Sequence, residues 1–465
     1  MANSYLSRSE SSAGSSTKGT LSAWLKRSKI TSEYPRIFSS YIDNSNHWKV
    51  YFDNTDRLNV YGEAGGSLTN QVITTRKFKD TDAFYHIVVA VDSTQGSSSD
   101  RVKVYVNGVQ ETAFDVSTYP SSSANMKFNG GSGNTDVIGK KEGASSDYFD
   151  GYMSHVSWVD GAALAPTVFG VADSTTGQWK FKSPTGVTWG TNGFHLKFES
   201  SGALGTDSSG ESNTFTVNGN LKQSISTPSN VLAAFSRSSW WDGTATNGNT
   251  TTNPSGATAY RYVTTGIGVD KGKWYWEMKI STLGDYTLMG ITDQPSYVQS
   301  ASQHNILGSR AYDYSVVYNT AGGNGHKYNN AGTSPTNTPG AYMAGFSAND
   351  ILTFALDLDS ATKKLYIGVG GQWANGSGST NQTFGNTTGI TITAPASTDT
   401  GSYFPASGEY GGADGVCEFN FGEGRFGTTA VASAGTKSTG DDSIWEYDCP
   451  TGYYGLNTKN LNTYG

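Results

Sequence analysis

The chain of 465 residues has a net charge of −7 and only 15% charged residues, against 12% aromatics and 58 glycines. Soluble domains usually carry about 25% charged residues, so long solvated helical faces are not expected, and the length suits roughly two to four domains. Lys and Arg are scattered, which argues against nucleic-acid or anionic-membrane binding driven by counterion release; no run of about 18 apolar residues offers a membrane span.

The opening MANSYLSRSE has no apolar stretch, so no cleaved secretory signal is expected, and residues 1–18 read as an N-terminal segment. The first domain is expected over 19–200. TLSAWLKRS from Thr20, RIFSSYID, WKVYFD and RLNVYGE read as strands closed by Asp, Asn or Gly. In YHIVVAVD, Tyr85, Ile87, Val89 and Val91 share one face and His86, Val88 and Ala90 the other. That pattern predicts a strand covered on both sides. Asn107-Gly108 between VKVYV and VQETAF predicts a two-residue type I′ hairpin, because both residues tolerate positive φ. DYFDGYMSHVSWVDG and GFHLKFES supply later strands, with one helical turn expected in ALAPTVFG.

Residues 201–229 are rich in Gly, Ser and Asn and read as an irregular linker. The second domain is expected over 230–430. In KWYWEMKI, Trp274, Trp276, Met278 and Ile280 point one way, and Tyr275, Glu277 and Lys279 the other. YTLMGITD, a hairpin in DILTFALDLDSATKKLYIGV turning at Asp359 to Thr362, and VCEFNFG follow. Residues 431–465 read as an irregular tail. Cys417 and Cys449 are too few for a disulfide scaffold; whether they pair stays open. The fold class is therefore all-β, with two antiparallel jelly-roll-type sandwiches in tandem.

In that order, YHIVVAVD, VKVYVNGVQ and YFDGYMSHVSWVDG resemble a laminin-G/concanavalin A-like sandwich. KGKWYWEMKI, ANDILTFALDLDSATKKLYI and YFPASG…VCEFNFGEGRF resemble a SPRY domain, although Ala348-Asn349 stands where that family has Gly before Asp350. YFDGYMSHVSWVDGAALAPTVFG and GTNGFHLKFESSGALGTDSSGESNTFTVNG are similar to phrases recurring in virion proteins of marine bacteriophages. This last resemblance implies a tail-fibre, tail-associated or capsid-surface adhesin located on the virion. Its partners would be other virion proteins and a host-surface glycan, in many copies or as a homo-oligomer. A capsid-decoration or tail-assembly protein without a receptor is the alternative, and a glycan-degrading enzyme the third.

Catalytic chemistry is sparse. Concanavalin-like glucanases place carboxylates as E-x-D-x-x-E, and the one approach, Glu446-Tyr447-Asp448, has Thr451 in the third acidic position. No H-E-x-x-H, C-x-x-C, G-x-S-x-G or G-K-[ST] occurs, so no enzyme is expected. His47, His86, His155 and His195 are isolated along the chain and read as strand or loop residues. No cofactor is expected; calcium is open through Asp43, Asn44, Asp53, Asp56, Asp147 and Asp150, whose ordinary role is to close turns. Glycan binding needs flat aromatic faces beside polar groups. The aromatics in irregular stretches meet that description: Trp48, Tyr312, Tyr314 and Trp373, with Trp240-Trp241-Asp242 beside them.

Overall fold

The computed structural model describes residues 3–30, 33–236, 244–253, 261–295, 306–319, 325–328, 341–410 and 415–465. Two compact units follow one another, Met1–Ser229 and Asn230–Gly465. Both are antiparallel sandwiches, as expected.

The first unit pairs two sheets. Eight strands lie in the spatial order Phe114–Thr118, Ser67–Lys77, Arg57–Ala64, Asn46–Phe52, Arg36–Asp43, Thr135–Ile138, Tyr5–Ser9 and Thr216–Asn218. Six lie in the order Phe194–Leu196, Gly151–Asp160, Lys18–Arg27, Tyr85–Asp92, Val102–Val106 and Val109–Gln110. Alternation decides what each strand buries: Trp48, Val50 and Phe52 from one sheet meet Leu21, Leu25, Ile87, Val89 and Val91 from the other. Each large apolar side chain removed from water contributes about 1.5–3 kcal/mol. The Asn107-Gly108 hairpin forms as expected, with φ of +48° and +81° and Val106 paired to Val109.

In the second unit, Lys273–Thr282 lies between Val416–Asn420 and Ile351–Asp357 in the larger sheet. Tyr286–Thr292 lies between Tyr314–Asn319 and Phe404–Tyr410 in the smaller one. Trp274, Trp276, Met278 and Ile280 meet Met289, Ile291 and Val316 between the sheets. Asn349 has φ +73°, the left-handed conformation that glycine takes freely and asparagine tolerates. That explains how a non-glycine residue serves before Asp350.

Three expected boundaries change. Tyr5–Ser9 is an interior strand paired to Thr135–Ile138 and Thr216–Asn218, so residues 1–18 belong to the first sandwich. The 201–229 stretch is anchored rather than a free linker: it supplies that outer strand, buries Leu204 and Phe215, and Asn213 accepts from Arg8. The 431–465 tail buries Trp445, Cys449, Tyr453 and Leu456, and Tyr454–Gly455 pairs in parallel with Trp274 and Tyr275. Polar composition suggested loops; long-range pairing and buried aromatics integrate them.

Candidate functional site

A two-sheet sandwich has two outward faces, and the two units together have four. Extra chain covers three of them. On the six-stranded sheet of the first unit, Val88 and Val159 pack under Phe169 and Trp189. On the larger sheet of the second unit, Tyr275, Ala355 and Trp373 pack with Trp445, Cys449 and Tyr453 of the tail. On the smaller sheet, Tyr262, Leu288, Val317 and Ala406 pack with Ile306 and Leu307. The outward face of the eight-stranded sheet carries no such apolar cluster among the described residues.

Period-2 alternation fixes what that face presents. With Trp48, Val50, Phe52, Leu58 and Val60 turned inward, His47, Lys49, Tyr51, Asn59, Tyr61 and Glu63 turn outward. Register aligns them in cross-strand rows. Tyr41 faces His47 and His47 faces Glu63; Ser39 faces Lys49 and Lys49 faces Tyr61; Arg36 faces Tyr51 and Tyr51 faces Asn59.

The rows interlock. The His47 ring stacks between Tyr41 and Tyr61, with centroids 6.4 and 5.7 Å away. Lys49 Nζ lies 4.9 Å from the Tyr61 ring centre, and the Arg36 guanidinium 4.3 Å from that of Tyr51. Glu142, from the segment after Thr135–Ile138, reaches over the face. It accepts from Ser39 Oγ at 2.8 Å and pairs with Lys49 Nζ at 3.4 Å and Arg36 Nε at 3.5 Å. Tyr61 Oη donates to Glu63 at 2.9 Å, and Asn59 Nδ2 donates to Tyr51 Oη at 2.8 Å. Tyr41, Lys49, Tyr61 and Glu63 are partly buried, the Lys49 and Glu63 side chains 13% and 19% exposed, while Arg36, His47, Tyr51 and Glu142 lie deeper.

Burial alone would raise the Glu142 carboxyl, but Arg36 and Lys49 outweigh it and hold the group below its ordinary value. Burial pushes the Tyr51 hydroxyl up to about 12 and lowers the His47 imidazole. Near neutral pH the face therefore presents phenols, a neutral imidazole, paired cations and an ionised carboxylate. A general acid for glycoside cleavage needs a carboxyl held protonated, and Glu142 is shifted in the opposite direction. The arrangement can stack a flat ligand and hydrogen-bond its edges.

The candidate aromatics fare differently. Trp48 is fully buried among Phe38, Phe128 and Trp158, because it occupies an inward strand position. Tyr314 begins a strand, faces the core, and its hydroxyl accepts from Thr393 N at 3.0 Å. Trp373 is buried beneath the tail against Tyr275 and Phe384. Tyr312 is half-buried against the same core as Tyr314. None of the three buried rings offers a free face. Trp240-Trp241-Asp242 lies outside the described residues.

The acidic residues weighed for calcium have other partners. Asp43 accepts from Ser45 N and Asn46 Nδ2, and Asp53 from Thr55 and Arg57. Asp56 pairs with Arg27 at 2.9 Å, and Asp147 accepts from Tyr34 N. Among the described residues no group of three or more His, Cys, Asp or Glu is placed to hold a metal ion. Glu446 and Asp448 accept from Ala432 N and Thr436 N, tying the tail to itself. Cys417 and Cys449 are both buried free thiols.

Residues 1–169 match the model of the concanavalin A-like lectin/glucanases superfamily, and they fall within the two-sheet antiparallel sandwich of the first unit. No curated protein matches the chain. Among solved structures, the SPRY domain of human HERC1 is 14% identical, with a TM-score of 0.28 over 40% of this chain and 96% of that one. A heptameric SAP-like pentraxin from Limulus polyphemus is 14% identical, with a TM-score of 0.31 over 46% and 85%. Domain 4 of AbnA, a GH43 extracellular arabinanase from Geobacillus stearothermophilus solved with arabinotriose, is 18% identical, with a TM-score of 0.25 over 33% and 65%. At such scores the architecture rests on the sheets described above.

Proposed function

We propose that the chain is a non-catalytic glycan-binding protein that recognises sugar through the outward face of its eight-stranded sheet. The observation that carries this reading is the uncovered face itself, where partly buried Tyr41 and Tyr61 are interleaved with Lys49 and Glu63. Sugar rings stack on such aromatics while their hydroxyls exchange hydrogen bonds with the flanking charged groups. The lectin/glucanase-type sandwich agrees with this, and the charge state of Glu142 favours binding over cleavage. The similarity of the first half to phage virion phrases extends the reading to a virion-surface adhesin whose ligand is a host-cell glycan.

Single-site affinity on a shallow polar face is low, since displaced water offsets most hydrogen bonds gained. Display in several copies raises avidity by about 10²–10⁴. The test is a glycan array and host-cell pulldown with the full chain, as monomer and artificially multimerised. The multimer is expected to bind, and Tyr61→Ala or Lys49→Ala to weaken it at least about tenfold. Binding that ignores both substitutions moves the site elsewhere. No binding by either form leaves a decoration or assembly role. Proteomics of purified particles tests the virion placement separately: absence of the chain rejects it.

A further inference from the structure

Residues 161–193 cross the outer face of the six-stranded sheet of the first unit, and their attachment has an unusual chemistry. Three aromatic rings of this strap each meet one imidazole of the sheet. Trp179 lies edge-on to His86 with ring centres 6.1 Å apart, while Phe181 stacks over His155 at 3.6 Å and 12° and Trp189 over His195 at 5.6 Å and 20°. The sheet brings together histidines far apart in sequence: His155 Nδ1 lies 3.3 Å from His195 Nε2.

The hydrogen bonds settle which protonation state this geometry accepts. Trp179 Nε1 can only donate, and it reaches His86 Nδ1 at 2.9 Å. His86 Nδ1 must therefore be an unprotonated acceptor, leaving Nε2 to donate to Ser22 Oγ at 2.9 Å. Between His155 and His195 one facing nitrogen must likewise lack a proton for the other to donate. Protonating His86 sets two N–H groups against each other, and protonating both members of the pair sets two cations in contact. Stacking alone would tolerate a charged imidazole through cation–π attraction; the Trp179–His86 hydrogen bond does not, and the His155–His195 bond accommodates one added proton but not two.

We propose that residues 161–193 form an acid-released strap, held closed by the neutral imidazoles of His86, His155 and His195 and detached when they take up protons. Its release would uncover Val88 and Val159, now packed under Phe169 and Trp189. The neighbouring charges do not cancel the effect. Burial, with no charged group contributing, lowers His86 to about 3. Burial lowers His155 to about 4, with Glu199 opposing and Lys197 assisting. It lowers His195 to about 4, assisted by His155 and Lys197 and opposed by Asp207. Lys180 is paired with Asp173 within the strap, Lys182 Nζ donates to Thr167 O, and Lys26 on the same sheet face lies over Tyr152.

The sign follows from these lowered values. The closed form disfavours the charged imidazole, so closure is fully stable above the open-state value near 6.5 and is lost as pH falls toward 4. Each histidine contributes up to roughly tenfold per pH unit across that window. The test is hydrogen exchange of the full chain, corrected for intrinsic rates, at pH 7.5 and 5. Amides of Gly170–Ala172 and Trp179–Phe181 are expected to open at least about a hundredfold more often at pH 5, while those of Val102–Val106 stay protected. His86→Gln, whose amide can accept from Trp179 and donate to Ser22 without titrating, combined with His155→Asn, is expected to flatten that dependence. Unchanged strap protection at pH 5 overturns the proposal, as does simultaneous exchange of the whole unit or an undiminished slope in the variant. Should the variant not fold, imidazole titration of the native chain by NMR decides: values above 6 for the three histidines overturn it.

Discussion

The two sandwiches differ in what they do with their outer surfaces. In the second unit both outward faces are apolar and both are covered, and the larger one is closed by the tail clamped on Glu277. That carboxylate, in mid-sheet, accepts from Tyr275 Oη, Asn420 Nδ2 and the backbone N–H groups of Glu446 and Tyr447. In the first unit one outward face is covered through histidine–aromatic contacts and the other is left polar and open. A covered face identifies surface used for stability. The open one identifies surface kept for something else, which is why the proposed site lies there.

Acid should separate the two units most. Between pH 6.5 and 4.5 the lowered imidazoles cost the first unit roughly 2 kcal/mol each. Burial pushes Glu10 up to about 7 and also raises the neighbouring Asp136, so Glu10 protonation in that window offsets about one histidine and Asp136 acts in the same direction. In the second unit burial raises Glu277, Asp293 and Asp313. A raised carboxyl favours the folded state below its unfolded value and loses that contribution as pH rises through the folded one, so this unit gains as these carboxyls take up protons on acidification. Calorimetry of the full chain should show one transition falling and the other holding between pH 7 and 4.5. A parallel fall of both transitions would contradict the contrast.

Substitutions sharpen the comparison at single residues. Glu277→Ala removes the shared acceptor of Tyr275, Asn420 and the Glu446 and Tyr447 N–H groups and should cost about 3–5 kcal/mol, with residues 431–465 becoming protease-sensitive. Retention of both stability and protection would show that the tail docks without its clamp. Trp48→Ala empties the first core and should also cost about 3–5 kcal/mol, read by denaturant midpoint; a stable variant would return Trp48 to the list of ligand contacts. Asn349→Ala, at φ +73°, should cost about 1–2 kcal/mol. Tyr61→Ala, one strand from Trp48 but on the open face, should change stability by no more than about 0.5 kcal/mol while reducing glycan capture. A large stability loss there would mean that the ring is packing rather than recognition surface.

Much of the fold was legible because it is written in local alternation. RIFSSYID and YHIVVAVD form Arg36–Asp43 and Tyr85–Asp92 as read, and both faces of KWYWEMKI are buried as two separate clusters. Ser67–Lys77 escaped notice because SLTNQVITTRK is polar and draws its strand character from partners on either side. The burial of Tyr275 and Glu277 depends on a tail more than 160 residues away, which no local pattern announces. The proposed site lies away from the aromatics of irregular-looking sequence, because Trp48 and Tyr314 are inward strand residues. The signal was present in NHWKVYF and RLNVYGEA: once Trp48, Val50, Leu58 and Val60 are assigned to the core, Lys49, Tyr51, Tyr61 and Glu63 must face outward. The His155–His195 contact had no comparable signal, because it depends on the pairing of Val156 with Leu196.

The position of Tyr5–Ser9 has a consequence for how the first sandwich is made. This strand lies between neighbours that pair Leu6 with Ile138 on one side and Val217 on the other. Synthesised before both of them, it has no ladder partner until more than a hundred further residues have emerged, and its second partner comes some eighty residues later still. Closing such long loops before any contact repays the entropy makes pairing slow. In the interval, the strands from Arg36–Asp43 to Phe114–Thr118 can form a contiguous hairpin array. A ribosome-bound chain stopped before Val217 would carry the far edge of the sheet unfinished.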